Sequence, residues 1–150
     1  MGLYGERVGA MTILCDNEKE RLAVESQVKI LIRPLYSNPS IHGARIATEI
    51  LSNPNYYQKW IVEMKSMADR ISSMRVALKD SLAQNGSTRD WSHITKQIGM
   101  FCYSGLSAEQ VDRLKEDYAV YLTRDGRISI PALCSANVDY VSKAIHDVTK

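Results

Sequence analysis

"NPNYYQKWIVEMKSMADRISSMRVALKDSLAQNG", residues 53–86, decides the architecture of this chain. Asn53-Pro54 reads as a helix start, with asparagine as N-cap and proline at the first helical position. Behind it Tyr57, Trp60, Ile61, Met64, Met67, Ala68, Ile71, Met74, Leu78 and Leu82 keep helical spacing until Asn85-Gly86 supplies a stop. The spacing predicts a helix over 54–85, about 45 Å long. That exceeds the width of a compact domain of this size. Its polar flanks lack the regular e/g charges of a coiled coil. The expected arrangement is a helix that leaves one domain and supports a second.

Upstream, "VGAMTILC" (8–15) is an apolar run fit for a buried strand. Asn17 with Glu20 predicts a capped helix that sets Val24, Val28, Leu31 and Leu35 on one face and is disturbed by Pro34. "YSNPS" is turn-rich, and a short helix over 43–51 follows. Downstream the pattern is α+β. "IGMFCYS" (98–104) reads as a strand, and Ser107 with Gln110 starts a helix. "YAVYLT" and "RISIPAL" read as two strands about an Asp-Gly hairpin turn, with Pro131 marking an edge or a bulge. Asn137 is the expected cap of a last helix that buries Val138, Val141, Ile145 and Val148.

Composition bounds function only loosely. Of 150 residues 45% are hydrophobic and 24% charged, which fits a folded domain, and a net charge of +2 gives no ground for nucleic acid or an anionic membrane. The three cysteines and three histidines are scattered, so no metal site is expected and the thiols read as reduced, intracellular ones. No apolar stretch reaches the length of a membrane span.

Three arginines stand out by context. Arg7 lies in "MGLYGERVGA", with three glycines in the first nine residues; Arg33 precedes Pro34; Arg127 follows Asp125-Gly126. A guanidinium fork binds carboxylate or phosphate oxygens in pairs. Composition and spacing name no reaction beyond that.

"MGLYGERVGA", "IRPLYSNPS", "MADRISSMR", "QIGMFCYSGL" and "DGRIS", in this order over the whole chain, resemble the C-terminal part of eukaryotic aspartate aminotransferases of the mitochondrial or plant-like type. These are class I pyridoxal-phosphate enzymes of fold type I. The resemblance implies an α/β fold that is the C-terminal fragment of such a transferase. Residues 1–66 would end the large cofactor-binding domain, 67–150 would form the small α+β domain, and the long helix would span both.

The resemblance further implies that Arg7 clamps the phosphate of pyridoxal 5'-phosphate, with Tyr4 close to the cofactor. It assigns Arg127 to the substrate's α-carboxylate and Phe101 to packing against the substrate. Arg33, with Ser37 and Asn38, reaches the distal carboxylate in the neighbouring subunit of a homodimer. The substrates so implied are dicarboxylic amino acids and 2-oxo acids, in the mitochondrial matrix or the cytoplasm. The Schiff-base lysine would lie two residues before Met1, so the chain alone is expected to be inactive. Ser40 stands where many members of the family have a second proline, and Pro131 where a small residue is usual in the strand after Arg127, which bears on the placement of Arg127. The competing reading is a stand-alone binding or dimerisation module that kept a transaminase fold. A third is a transaminase of other specificity.

Overall fold

The computed structural model describes residues 1–7 and 9–150, which divide into two compact units, Met1–Ile61 and Val62–Lys150.

In the first unit the expected cap operates. Asn17 Oδ1 accepts the Glu20 N–H at 3.0 Å, and the Glu20 carboxylate accepts the Asp16 N–H at 2.8 Å. Helix α1 runs over Glu18–Tyr36. Pro34 removes the N–H that would bond the Ile30 carbonyl, and the helix ends two residues later at Tyr36. Helix α2 covers His42–Ser52. Helix α3 covers Pro54–Gln84, its first turn capped by Asn53 Oδ1, which accepts the Asn55 N–H at 3.0 Å.

One expectation fails here. Residues 9–15 form no strand, and Leu14 is 93% exposed; Val8, the first residue of that run, lies outside the described residues. An apolar run calls for burial, but a strand forms only where a second one completes its ladder. Among the described residues none pairs with this run. Leu31 and Leu35 of the expected α1 face are likewise exposed.

The second unit has its own core. The latter part of α3 contributes Leu78 and Leu82, both fully buried. Gly86, at φ +84°, ends that helix, with the Ser87 N–H returning to the Leu82 carbonyl at 3.1 Å. A short helix α4, Ser92–Lys96, which the sequence did not announce, brings Trp91 and Ile94 inside. Strand β1 is Phe101–Tyr103. Helix α5, Ala108–Tyr118, opens with the expected capping box between Ser107 and Gln110. Strand β2 is Arg127–Ser129, and helix α6, Val138–Val148, buries the four expected valine and isoleucine positions.

β1 and β2 form one antiparallel pair, with Phe101 opposite Ser129, Cys102 opposite Ile128 and Tyr103 opposite Arg127. The strands are shorter than expected, and "YAVYLT" forms none. Ala119 enters the left-handed region at φ 52°, and the Val120 N–H turns back to the Leu114 carbonyl at 3.0 Å, so this segment finishes α5. The Asp-Gly turn does form, with Gly126 N–H on the Thr123 carbonyl at 2.8 Å, but β2 then pairs with β1 rather than with the preceding segment. Pro131 sits in a 3-10 turn over Ile130–Ala132 that ends the strand. Asn137 does not cap α6. Its amide is occupied by the preceding turn, accepting from the Cys134 N–H and donating to the Ala132 carbonyl.

The outer edge of β1 is met by side chains. The Gln97 amide donates to the Tyr103 carbonyl at 2.9 Å and accepts the Tyr103 N–H at 2.8 Å, while Arg75 donates to the Phe101 carbonyl at 2.8 Å. Among the described residues no helix is long and apolar enough to cross a membrane.

Gly126 is closely hemmed in by backbone. Its φ is +84°, and an added Cβ would meet the Leu106 carbonyl oxygen at 3.0 Å and Ser104 Oγ at 3.1 Å. Gly126→Ala is therefore expected to destabilise the unit by about 2 kcal/mol, the sum of backbone strain and crowding. Chemical denaturation of the chain measures it, and a variant within 0.5 kcal/mol of the parent would contradict the crowding.

Candidate functional site

The sequence-predicted site residues fall into two groups, one in each unit. In the first, Tyr4–Glu6 make a single 3-10 turn, closed by Arg7 in the left-handed conformation at φ 52°. The Arg7 guanidinium lies 5.2 Å from the centroid of the Tyr4 ring, which is 86% exposed. Among the described residues Arg7 makes no ion pair. Glu6, its acidic neighbour, faces His42 instead, with 3.0 Å between Oε2 and Nδ1.

Arg7 and Asn38 line one cleft of about 460 Å3, together with Glu6, Gly9, Tyr36 and Ser40. The donors there are the Arg7 fork, the Asn38 amide and the Tyr36 and Ser40 hydroxyls, a set that suits an anionic oxygen cluster, while the Glu6 carboxylate in the same lining is engaged by His42. Arg33 stands in the last turn of α1, where its Nη1 donates to Ser37 Oγ at 2.6 Å. Ser37 takes φ 65° and returns its N–H to the Ile32 carbonyl at 3.3 Å. Ser37, at φ 65° and ψ −56° in a tight turn, and the left-handed Arg7 carry backbone strain of about 1–3 kcal/mol each, a cost met most often at functional sites.

In the second unit Phe101 and Tyr103 share the outer face of β1, while Cys102 points into the core, where burial pushes its thiol pKa up. Arg127, opposite Tyr103, extends along that face until its guanidinium lies 5.0 Å from the Phe101 ring centroid. The Arg127 N–H donates to Asp125 Oδ1 at 3.2 Å. The Thr123 hydroxyl and then this N–H hold the Asp125 carboxyl below the usual carboxylate range. The two arginines beside the turn differ. Arg124 is engaged by Asp112 at 2.9 Å, whereas the Arg127 fork has no hydrogen-bonded partner among the described residues. An exposed, ring-backed guanidinium without a carboxylate is free to take one from a ligand.

Sequence reasoning overlooked Arg70, Arg75 and Gln97, which hold the sheet from outside. Arg70 donates to the Leu133 carbonyl at 2.8 Å, beyond the end of β2. A signal existed for Arg75: with Ile71, Leu78 and Leu82 it falls at i, i+4, i+7 and i+11, a charge set in an apolar stripe.

A family model described as aminotransferase class I and II matches residues 1–145. The mitochondrial aspartate aminotransferase of Gallus gallus is 56% identical over 150 residues, which are 100% of this chain and 36% of that protein. That of Arabidopsis thaliana is 53% identical over 100% of this chain and 35% of its own length. Among solved structures, a mitochondrial aspartate aminotransferase from Trypanosoma brucei matches with a TM-score of 0.92 at 45% identity, covering 99% of this chain and 39% of that one. An aromatic-amino-acid aminotransferase from Burkholderia pseudomallei, covalently bound to pyridoxal phosphate, matches with a TM-score of 0.91 at 46% identity over 99% of this chain and 37% of that one.

The chain thus spans about a third of the length of the curated relatives it matches. Its fold is that of the corresponding part of fold type I aminotransferases. On sequence from end to end and on fold together, the chain belongs to the aminotransferase class I and II family.

Proposed function

We propose that this chain is the C-terminal third of an aspartate aminotransferase, whose reaction is L-aspartate with 2-oxoglutarate to oxaloacetate and L-glutamate. The observation that carries the proposal is identity of 53–56% across all 150 residues to mitochondrial aspartate aminotransferases from an animal and a plant. Residues 1–66 are read as the end of the large domain and 67–150 as the small one, a boundary near the division of the fold into Met1–Ile61 and Val62–Lys150.

Pyridoxal phosphate, when bound, supplies the carbonyl that takes up the amino group and the ring that accepts the electron pair. The chain's own residues bind and orient. Arg7, with Tyr4 beside it, is suited to the cofactor's phosphate, because its fork is exposed at a cleft and carries no ion pair among the described residues. Arg127 takes the α-carboxylate, backed by Phe101, which also packs against the substrate. Arg33, steadied by Ser37 and followed by Asn38, takes the distal carboxylate of a substrate in the neighbouring subunit. Two forks at opposite ends select a diacid. The relatives' names support a mitochondrial location, and a structural match from the yeast cytoplasm supports the alternative compartment.

Broader specificity is the second reading, because the Burkholderia pseudomallei aromatic-amino-acid enzyme matches as closely in fold. Assay of the full-length protein with a panel of amino donors tests both. Aspartate is expected to exceed phenylalanine in kcat/KM by about 10²-fold or more, the worth of one unmet buried charge. The 150-residue chain alone is expected to transfer no amino group. Transamination by the chain alone, or equal use of phenylalanine, would refute the proposal.

A further inference from the structure

We infer that Arg75 is a positioning residue for Arg127, acting through β1 and the Phe101 ring; this rests on the assignment of Arg127 to the substrate carboxylate. Arg75 is 3% exposed, yet among the described residues it meets no carboxylate. Its three donor contacts go to backbone carbonyls: Nη1 to Ile94 at 2.7 Å, and Nη2 to Gly99 and Phe101 at 2.8 Å each. Burying a guanidinium without a counter-charge is a costly way to seal a helix against a loop, since an apolar side chain of similar size packs there without the desolvation. What the fork provides is geometry. It is planar and rigid, so it fixes three points of the chain relative to α3 at once.

Two of those points, Gly99 and Phe101, bracket the entry to β1, and the third closes α4. Holding the Phe101 carbonyl sets the plane of that residue, and with it the direction of the ring on the opposite side of the Cα. Gln97 does the same for Tyr103, which is paired with Arg127. The strand is only three residues long, so its own ladder holds it weakly. The Arg127 guanidinium, at the end of a flexible stem, has the Phe101 face as its lateral support 5.0 Å away. A tilt of β1 moves that face, and a fork displaced by about 1 Å no longer meets a carboxylate with both arms.

The test is a kinetic cycle in the full-length holoenzyme with Arg75→Met, Phe101→Leu and the double variant, assayed with aspartate. Arg75→Met is expected to lower kcat/KM by about 10–100-fold, chiefly through KM, as a misplaced carboxylate anchor does. In the Phe101→Leu background the same change should cost no more than about 2–3-fold further, because the route it acts through is already gone. Arg75→Lys, which keeps the charge and reaches part of the carbonyl set, should recover part of the loss. If Arg75→Met does not fold, Arg75→Lys in the same cycle with Phe101→Leu reads the coupling, and Gln97→Leu, which releases Tyr103, reads separately whether β1 must be held for KM. Losses that multiply in the double variant, or a KM unchanged by Arg75→Met and Gln97→Leu, would overturn the inference. Arg127→Lys is the control: if it leaves KM unchanged the assignment of Arg127 itself fails, whereas a raised KM there beside an unchanged one for Arg75→Met sinks only the positioning role.

Discussion

On the proposed assignment of Arg33 and Arg127 to different active sites of one dimer, the full-length variants Arg33→Ala and Arg127→Ala are each expected to be nearly dead and to regain about a quarter of wild-type activity when unfolded and refolded together. Each single change leaves a carboxylate without its fork in a desolvated site, costing about 3–5 kcal/mol, or roughly 10²–10³-fold or more in rate. The local structures give no sign that either arginine is structural. Arg33 spends one nitrogen on the Ser37 hydroxyl, and the Arg127 fork rests only on a ring. In a mixed dimer one site collects both lesions and the other none. Random pairing makes about half the dimers mixed, hence about a quarter of sites whole. Were both arginines to act in the same subunit's site, every site in every mixture would lack one anchor. No recovery after verified subunit exchange removes the cross-subunit role of Arg33.

Leu114→Ala should unfold the second unit early. Leu114 is 0% exposed on the inner face of α5, which packs on α6. Removing its branched end loses transfer free energy and leaves a cavity, together about 3–4 kcal/mol. With a urea slope of about 2 kcal/mol per molar the midpoint falls by about 1.5–2 M. The tryptophans allow each unit to be followed separately, since Trp60 lies in the first and Trp91, buried, in the second. In a Trp60→Phe background the Trp91 transition should move by that amount. Leu35→Ala in α1, where the side chain is 73% exposed, should leave it within about 0.5 kcal/mol. Equal shifts for the two variants would contradict the burial.

What was legible in the sequence was local chemistry. Asn53-Pro54 and Asn85-Gly86 bounded α3 to within a residue, and Ser107 with Gln110 capped α5, because a cap is a contract between residues three apart. The strands expected in "IGMFCYS" and "RISIPAL" form, whereas residues 9–15 and "YAVYLT" carry none, because a strand's existence depends on distant partners. "YAVYLT" has the composition of a strand, but the left-handed Ala119 and the bond from Val120 to Leu114 commit it to the end of α5. Asn137 shows the converse: the right cap residue was already engaged by Ala132 and Cys134. Of the candidate site, the three arginines could be picked out by context, and the resemblance supplied their roles. The pairing of Arg127 with Phe101 could not be read, since 26 positions separate them and only the β1–β2 register brings them together. Arg75 was hidden because a charged residue in an apolar stripe is ordinarily taken for a solvated edge.

The side chains lining the outer rim of β1 also bear on how the protein behaves in a crowded solution. An exposed strand edge is a template on which a second chain can grow by copying the hydrogen-bond ladder, the first step toward fibres and swapped assemblies. Here the Gln97 amide imitates a neighbouring peptide unit and saturates both polar groups of Tyr103, and Arg75 occupies the carbonyl of Phe101. On β2, the Arg127 N–H and carbonyl are taken by Asp125 and Thr123. A sheet of two strands would ordinarily be the most adhesive element of such a fold. Closed in this way, it offers an incoming strand little to copy.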